Sequence, residues 1–143
     1  MSLYLDTSAL MKWYVAESDS DAFDDFLAQR PGARISRLTI VELRSALSRR
    51  RRNRDISAAT ERAALTLFDA HVRNGLLMVL AMQDSHFSSA REIIDLLPRI
   101  PLRTLDALHL AVARAGSIEA IATADRVMAS AARALSFKTH VFH

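Results

Sequence analysis

Five short strand-like runs recur along the chain, each parted from the next by one or more stretches of helical periodicity. They are Leu3–Leu5, Ala33–Ser36, Leu76–Leu80, Ala120–Thr123 and Thr139–Phe142. Runs this brief, bounded by turn and cap residues, read as strands rather than as buried helices. The stretches between them read as helices over Ser8–Val15, Ser20–Gln29, Thr39 to about Arg52, Ser57–Asn74, Ser85–Leu97, Thr104–Ala115 and Arg126–Leu135. Ser57 and Asp84 are the expected caps of the fourth and fifth helices. Gly75 and Gly116 stand where helices commonly end, Pro31-Gly32 marks a turn, and Pro98 and Pro101 bracket a linker. Strands that must be rejoined across an intervening helix pair in parallel, with helices covering both faces of the sheet. The expected fold class is therefore α/β, with right-handed crossovers. Sheets of this kind place their sites beyond the carboxyl ends of the strands.

Composition narrows the partners. A length of 143 residues fits one domain over residues 1–143 with a real core, and three glycines and three prolines leave little material for long linkers. The chain has no cysteine, which excludes disulfides, thiolate nucleophiles and zinc–sulfur sites. No apolar run approaches the length of a membrane span, and the N-terminus lacks a basic region followed by an apolar stretch. A cytoplasmic protein with no membrane partner is expected. The sequence pI is about 9.9. Of its 19 basic side chains only Lys12 and Lys138 are lysines. Arginine pairs bidentately with phosphate and carboxylate, so nucleic acid or an acidic protein is a natural partner. An arginine-preferring genome explains the same bias.

Four acids lie against apolar residues. Asp6 closes the run Leu3-Tyr4-Leu5, Glu42 lies in Leu38-Thr39-Ile40-Val41-Glu42-Leu43, Asp106 lies in Leu105-Asp106-Ala107-Leu108, and Asp125 follows Ala120–Thr123. Taken singly, each has an ordinary structural explanation. Asp6 and Asp125 suit helix caps, Asp106 suits the positive end of a helix dipole, and Thr39-Ile40-Val41-Glu42 has the form of a capping box. Taken together, two acids at strand ends and two in first helical turns can converge on one cleft. Carboxylates gathered there repel one another unless a cation intervenes. Oxygen donors without Cys or His point to Mg²⁺ or Mn²⁺ rather than zinc.

The same residues carry a resemblance. Tyr4-Leu5-Asp6-Thr7-Ser8-Ala9-Leu10 resembles the opening motif of PIN-domain proteins. Ser36-Arg37-Leu38-Thr39-Ile40-Val41-Glu42-Leu43-Arg44-Ser45-Ala46-Leu47 resembles their second acidic motif, and Arg103-Thr104-Leu105-Asp106-Ala107-Leu108-His109-Leu110-Ala111 their third. Ala122-Thr123-Ala124-Asp125-Arg126 with Ala131-Ala132-Arg133-Ala134-Leu135 is similar to the fourth. Order, spacing and length are similar to the VapC-type toxins of bacterial toxin–antitoxin pairs over essentially the whole chain. The resemblance implies a PIN-like three-layer fold with a five-stranded parallel sheet and a metal-dependent endoribonuclease. Asp6, Glu42, Asp106 and Asp125 would form the catalytic set, with Asp6, Asp106 and Asp125 as metal ligands and Glu42 orienting water. It also implies an antitoxin partner and a homodimer. Asp125 is the least firmly placed, because the last motif is the one that Ala124 and Met128 vary.

Neighbouring residues are weighed against this. Thr7, Ser8 and Thr123 read either as helix caps or as hydroxyls supporting the carboxylates. His109 reads as a buried histidine satisfied by a neighbour, rather than as a base. Arg49, Arg50, Arg51, Arg52 and Arg54 end the helix that carries Glu42, where cations complement the dipole or grip an RNA backbone. Trp13 and Tyr14 lean toward an interface. A haloacid-dehalogenase-type phosphohydrolase would need a second aspartate two residues after Asp6, where Ser8 stands. The remaining alternative is a PIN-like module that binds RNA or protein without cleaving.

Overall fold

In a computed structural model that describes residues 1–143, the strands are β1 (Leu3–Leu5), β2 (Ala33–Ser36), β3 (Leu77–Leu80), β4 (Ala120–Thr123) and β5 (Lys138–Val141). The helices are α1 (Thr7–Tyr14), α2 (Ser20–Ala28), α3 (Arg37–Arg52), α4 (Ala58–Arg73), α5 (Asp84–Leu96), α6 (Thr104–Ala115) and α7 (Arg126–Ala134). The five strands form one sheet in the order β3-β2-β1-β4-β5, and every pairing is parallel. The α/β expectation holds. Strand order runs outward from β1 through β2 to β3, then restarts on the other side with β4 and β5. The reversal falls between β1 and β4, where open parallel sheets form a crevice at their carboxyl edge.

The two-residue period of a strand explains the layering. Leu3 and Leu5 of β1, with Ala120 and Ala122 of β4, pack into a core shared with α1, α2, α3 and α4. Tyr4 and Ile121, the intervening residues, join the opposite core with α5, α6 and α7. Both cores are built from fully buried aliphatics such as Leu10, Leu43, Leu47, Ile93 and Leu110. Each contributes about 1.5–3 kcal/mol by leaving water.

Helix boundaries differ from expectation where polar side chains compete for the same free backbone donors. The start of α3 is closed by Ser36 and Thr39, whose hydroxyl accepts from the Ser36 amide at 3.1 Å. The helix therefore begins two residues earlier than expected, and Glu42 is not the acid of a capping box. In α5 the cap is Gln83 rather than Asp84, because His86 Nδ1 accepts from the Gln83 amide at 3.0 Å. Ser57 does cap α4, and Gly75 follows it with φ +76, the left-handed conformation that ends a helix without a Cβ clash. Tyr14 is buried, its hydroxyl 2.7 Å from His71 Nδ1, and Trp13 stacks on the same imidazole. Tyr14 thus belongs to the core rather than to a free surface.

Candidate active site

The crevice between β1 and β4 opens into a cleft of about 710 Å³, and Asp6, Glu42, Asp106 and Asp125 all line it. Each acid arrives on a different element. Asp6 ends β1 and caps α1. Asp125 follows β4 and caps α7, accepting from the amides of Val127 and Met128. Glu42 projects from α3, and Asp106 from the first turn of α6. The capping role and membership of the cleft are thus held together by Asp6 and Asp125.

Asp6 is the deepest of the four. Its Oδ1 accepts from the Ser8 hydroxyl at 2.7 Å and the Ala9 amide at 2.9 Å, and its Oδ2 accepts from the Thr123 hydroxyl at 2.6 Å. Ser8 Oγ in turn accepts from the Ala124 amide, and Thr123 Oγ1 from the Asp125 amide. Ser8 and Thr123 therefore both hydrogen-bond Asp6, and also stitch the end of β1 to the end of β4. Burial raises the Asp6 pKa, against the lowering effect of these donors. The Thr7 hydroxyl supports a different acid and donates to Glu42 Oε1 at 2.9 Å. Burial pushes Glu42 up, but the hydrogen bond and charge of His109, with Thr7 and Arg103, outweigh it and hold Glu42 below the ordinary carboxylate range.

Asp106 and Asp125 share one guanidinium. Arg103 Nε lies 3.3 Å from Asp106 Oδ2, and its terminal nitrogen lies 3.1 Å from Asp125 Oδ2. Burial and the charge of Asp125 raise the Asp106 pKa, while Arg103 lowers it. The Arg103 side chain is 75% exposed, so its pairs are held on the rim rather than locked inside. As the side chains stand, no three of the His, Asp and Glu groups form a ready-made metal shell. The donor chemistry nevertheless suits a hard divalent cation, being carboxylate oxygen throughout. A cationic group already sits between two of the acids, in the form of Arg103.

The arginine run divides. Arg49 and Arg50 line the cleft, and Arg50 pairs with Glu17. Arg51 turns toward Glu61 of α4, and Arg52 bonds Ser48 on its own helix. Arg54 stands beyond the helix with φ 62 and has no place in the cleft lining. A run treated as one patch is thus a pair of cleft residues and a solvated helix end.

Three side chains beside the acids were not expected to matter. Arg103 could have been suspected, because it precedes Asp106 by three residues at a helix start. Tyr4 reaches the site only because strand alternation points it away from Leu3 and Leu5. His109 is buried and satisfied as expected, but its partner on the cleft side is Glu42.

The PIN domain sequence profile matches residues 3–134. No curated protein sequence matches the chain significantly. Among solved structures, the chain is similar to the sarcin–ricin-loop-cleaving toxin VapC20 of Mycobacterium tuberculosis, with TM-score 0.66 and 19% identity over 91% of this chain and 95% of that one. It is also similar to a chain of the DNA-bound VapBC complex of Salmonella typhimurium, with TM-score 0.70 and 17% identity over 97% and 96% of the two chains. For DNA-bound VapBC2 of Rickettsia felis, the TM-score is 0.69 and the identity 16% over the full length of both chains.

Proposed function

The chain belongs to the PIN-domain family, and on that premise we propose that it is a divalent-metal-dependent endoribonuclease, the toxin of a toxin–antitoxin pair. The observation that carries the proposal is the convergence of Asp6, Glu42, Asp106 and Asp125 on one polar cleft at the sheet's reversal point. Two buried and two half-buried carboxylates lining one cleft are costly, and their gathering there makes sense as a cation site.

Asp6, Asp106 and Asp125 would hold Mg²⁺ or Mn²⁺. The bound ion would supply Lewis-acid polarisation of a scissile phosphodiester and would acidify water. The protein's own part is more specific. Asp6 is immobilised by three donors, which fixes one wall of the cleft. Glu42, held below the usual carboxylate range, remains ionised at neutral pH and can orient water or take its proton. Arg103 must leave Asp106 and Asp125 for the ion to bind, and an RNA phosphate is a suitable new partner. In-line attack by water would leave a 5′-phosphate and a 3′-hydroxyl. Arg49 and Arg50 would meet the RNA backbone along the cleft wall.

The solved neighbours in VapBC complexes support an antitoxin partner for this chain. A homodimer acting in the cytoplasm is part of the same proposal and rests on the family resemblance alone. No helix is long and apolar enough to cross a membrane. The alternative, a non-cleaving RNA- or protein-binding PIN-like module, is favoured by one observation. Arg103 already neutralises two of the acids. Incubating the purified protein with structured RNAs in Mg²⁺, Mn²⁺ or chelator decides between them. Metal-dependent cuts bearing 5′-phosphates support the nuclease. RNA binding without cuts under every metal condition supports the module.

A further inference from the structure

We propose that Tyr4 and His109 form a buried clamp that positions Glu42 for the reaction, a role that rests on the nuclease reading and is assigned to neither residue by the acidic motifs. Tyr4 and His109 are almost completely buried, on β1 and α6 respectively. The Tyr4 hydroxyl is 2.6 Å from His109 Nδ1 and 3.0 Å from Ser36 Oγ. His109 Nε2 bonds Glu42 Oε1, the same oxygen that receives the Thr7 hydroxyl.

Proton counting orients this chain. A carboxylate only accepts, so His109 Nε2 must carry the proton it shares with Glu42. With a neutral imidazole, Nδ1 is an acceptor. The Tyr4 hydroxyl then donates to it and accepts from Ser36. With a protonated imidazole, Nδ1 donates to Tyr4, and Tyr4 turns its hydroxyl toward Ser36. A phenol hydroxyl both donates and accepts, so Tyr4 can play either part between its two partners. The Nε2–H···Glu42 bond survives in both states. Both donors, Thr7 and His109, hold Oε1, and Oε2 has no hydrogen-bond partner in the protein. The clamp thus fixes one carboxylate oxygen and leaves the other for water or substrate in the cleft.

His109 acts through Glu42 and is therefore a positioning residue. His109→Ala should lower kcat by about 10–100-fold, the scale expected when a reacting group is misplaced by about an ångström, with KM for RNA within about twofold. His109→Gln, whose amide N–H can stand near the position of Nε2–H, should recover most of that loss. Tyr4→Phe, which keeps the Glu42 bond but frees the imidazole's far side, should fall between. Should His109→Ala fail to fold, the Gln and Phe variants carry the same comparison. Wild-type kcat in His109→Ala, failure of the Gln variant to recover activity, or a loss residing in KM would overturn the clamp. A separate measurement needs no catalysis. Nitrogen NMR of the labelled wild-type protein should find His109 Nε2 protonated, and a bare Nε2 would overturn the clamp even in an active enzyme. If the wild-type protein cuts no RNA in any metal, the nuclease reading fails, and the tautomer alone decides whether the clamp exists.

Discussion

The two halves of the cleft are held in opposite ways. Asp6 and Glu42 are tied by neutral hydroxyls, a backbone amide and an imidazole from three different elements. Asp106 and Asp125 depend on one exposed guanidinium. The first half is preorganised, because moving its carboxylates would strand buried polar groups. The second half is exchangeable, because exposed ion pairs contribute only about 0–1 kcal/mol each. A rigid wall facing a replaceable counterion suits a site that must be electrically quiet when empty and competent when loaded.

The largest expected effect breaks both halves alike. Asp6→Asn or Asp106→Asn should reduce cleavage by at least about a hundredfold, more than the loss typical of residues that only support a metal ligand. Both variants should keep a native circular dichroism spectrum. Full cleavage in either would remove that acid from the reaction.

Arg103→Ala sharpens the contrast. Mn²⁺ titrated calorimetrically into the metal-free protein should bind up to about tenfold more tightly to this variant, from the loss of two exposed ion pairs. Arg103→Lys keeps the charge without the fork and should fall between. Equal affinities in all three proteins would show that Arg103 does not compete for the site.

The rim also separates cleft arginines from helix-end arginines. Arg49→Ala with Arg50→Ala should reduce the salt slope of single-stranded RNA binding by about 0.7 log units per lost phosphate contact. Arg51→Ala with Arg52→Ala should leave it unchanged, since those side chains point to Glu61 and Ser48. Equal slopes for both pairs would erase the division.

The smallest effect is on stability. Folding raises the Asp6 pKa, so the folded metal-free protein binds that proton more tightly than the unfolded chain does. This contribution destabilises at neutral pH and vanishes as pH falls below the ordinary aspartate value of about 4. Asp6→Asn should therefore melt a few degrees above wild type near pH 7, with the gap closing in acid. Glu42 has the opposite sign. Its lowered pKa stabilises at neutral pH, and that stabilisation is lost as pH falls through the folded value. A gap that widens in acid would contradict the assignment for Asp6.

How legible the molecule was in its sequence depended on the range of the interaction. The strands and the placement of Asp6, Asp106 and Asp125 followed from local signals: brief apolar runs, first helical turns and strand ends. The start of α3 did not, because Ser36, Thr39 and Glu42 offer two overlapping capping schemes, and the choice is made by what Glu42 meets across the cleft. The division of Arg49–Arg54 depends on which helix faces α1, α2 and α4, which periodicity alone does not specify. The Tyr4–His109 contact joins residues 105 positions apart. No spacing rule reaches that far, and only the strand order brings the pair together.

That strand order has a temporal consequence. The hydroxyl of Thr123 holds Asp6 from 117 residues away, and β4, which carries it, enters the sheet beside β1 only after β2 and β3 have been laid on the other side. Synthesis runs from the N-terminus, and the chain leaves the ribosome in that order. A nascent polypeptide can carry β1, β2 and α3 clear of the ribosome while Asp6 still has no Thr123, no Asp125 and no cleft. Whatever chemistry these acids perform is withheld until translation is nearly complete, so an interrupted message yields a fragment without a working centre.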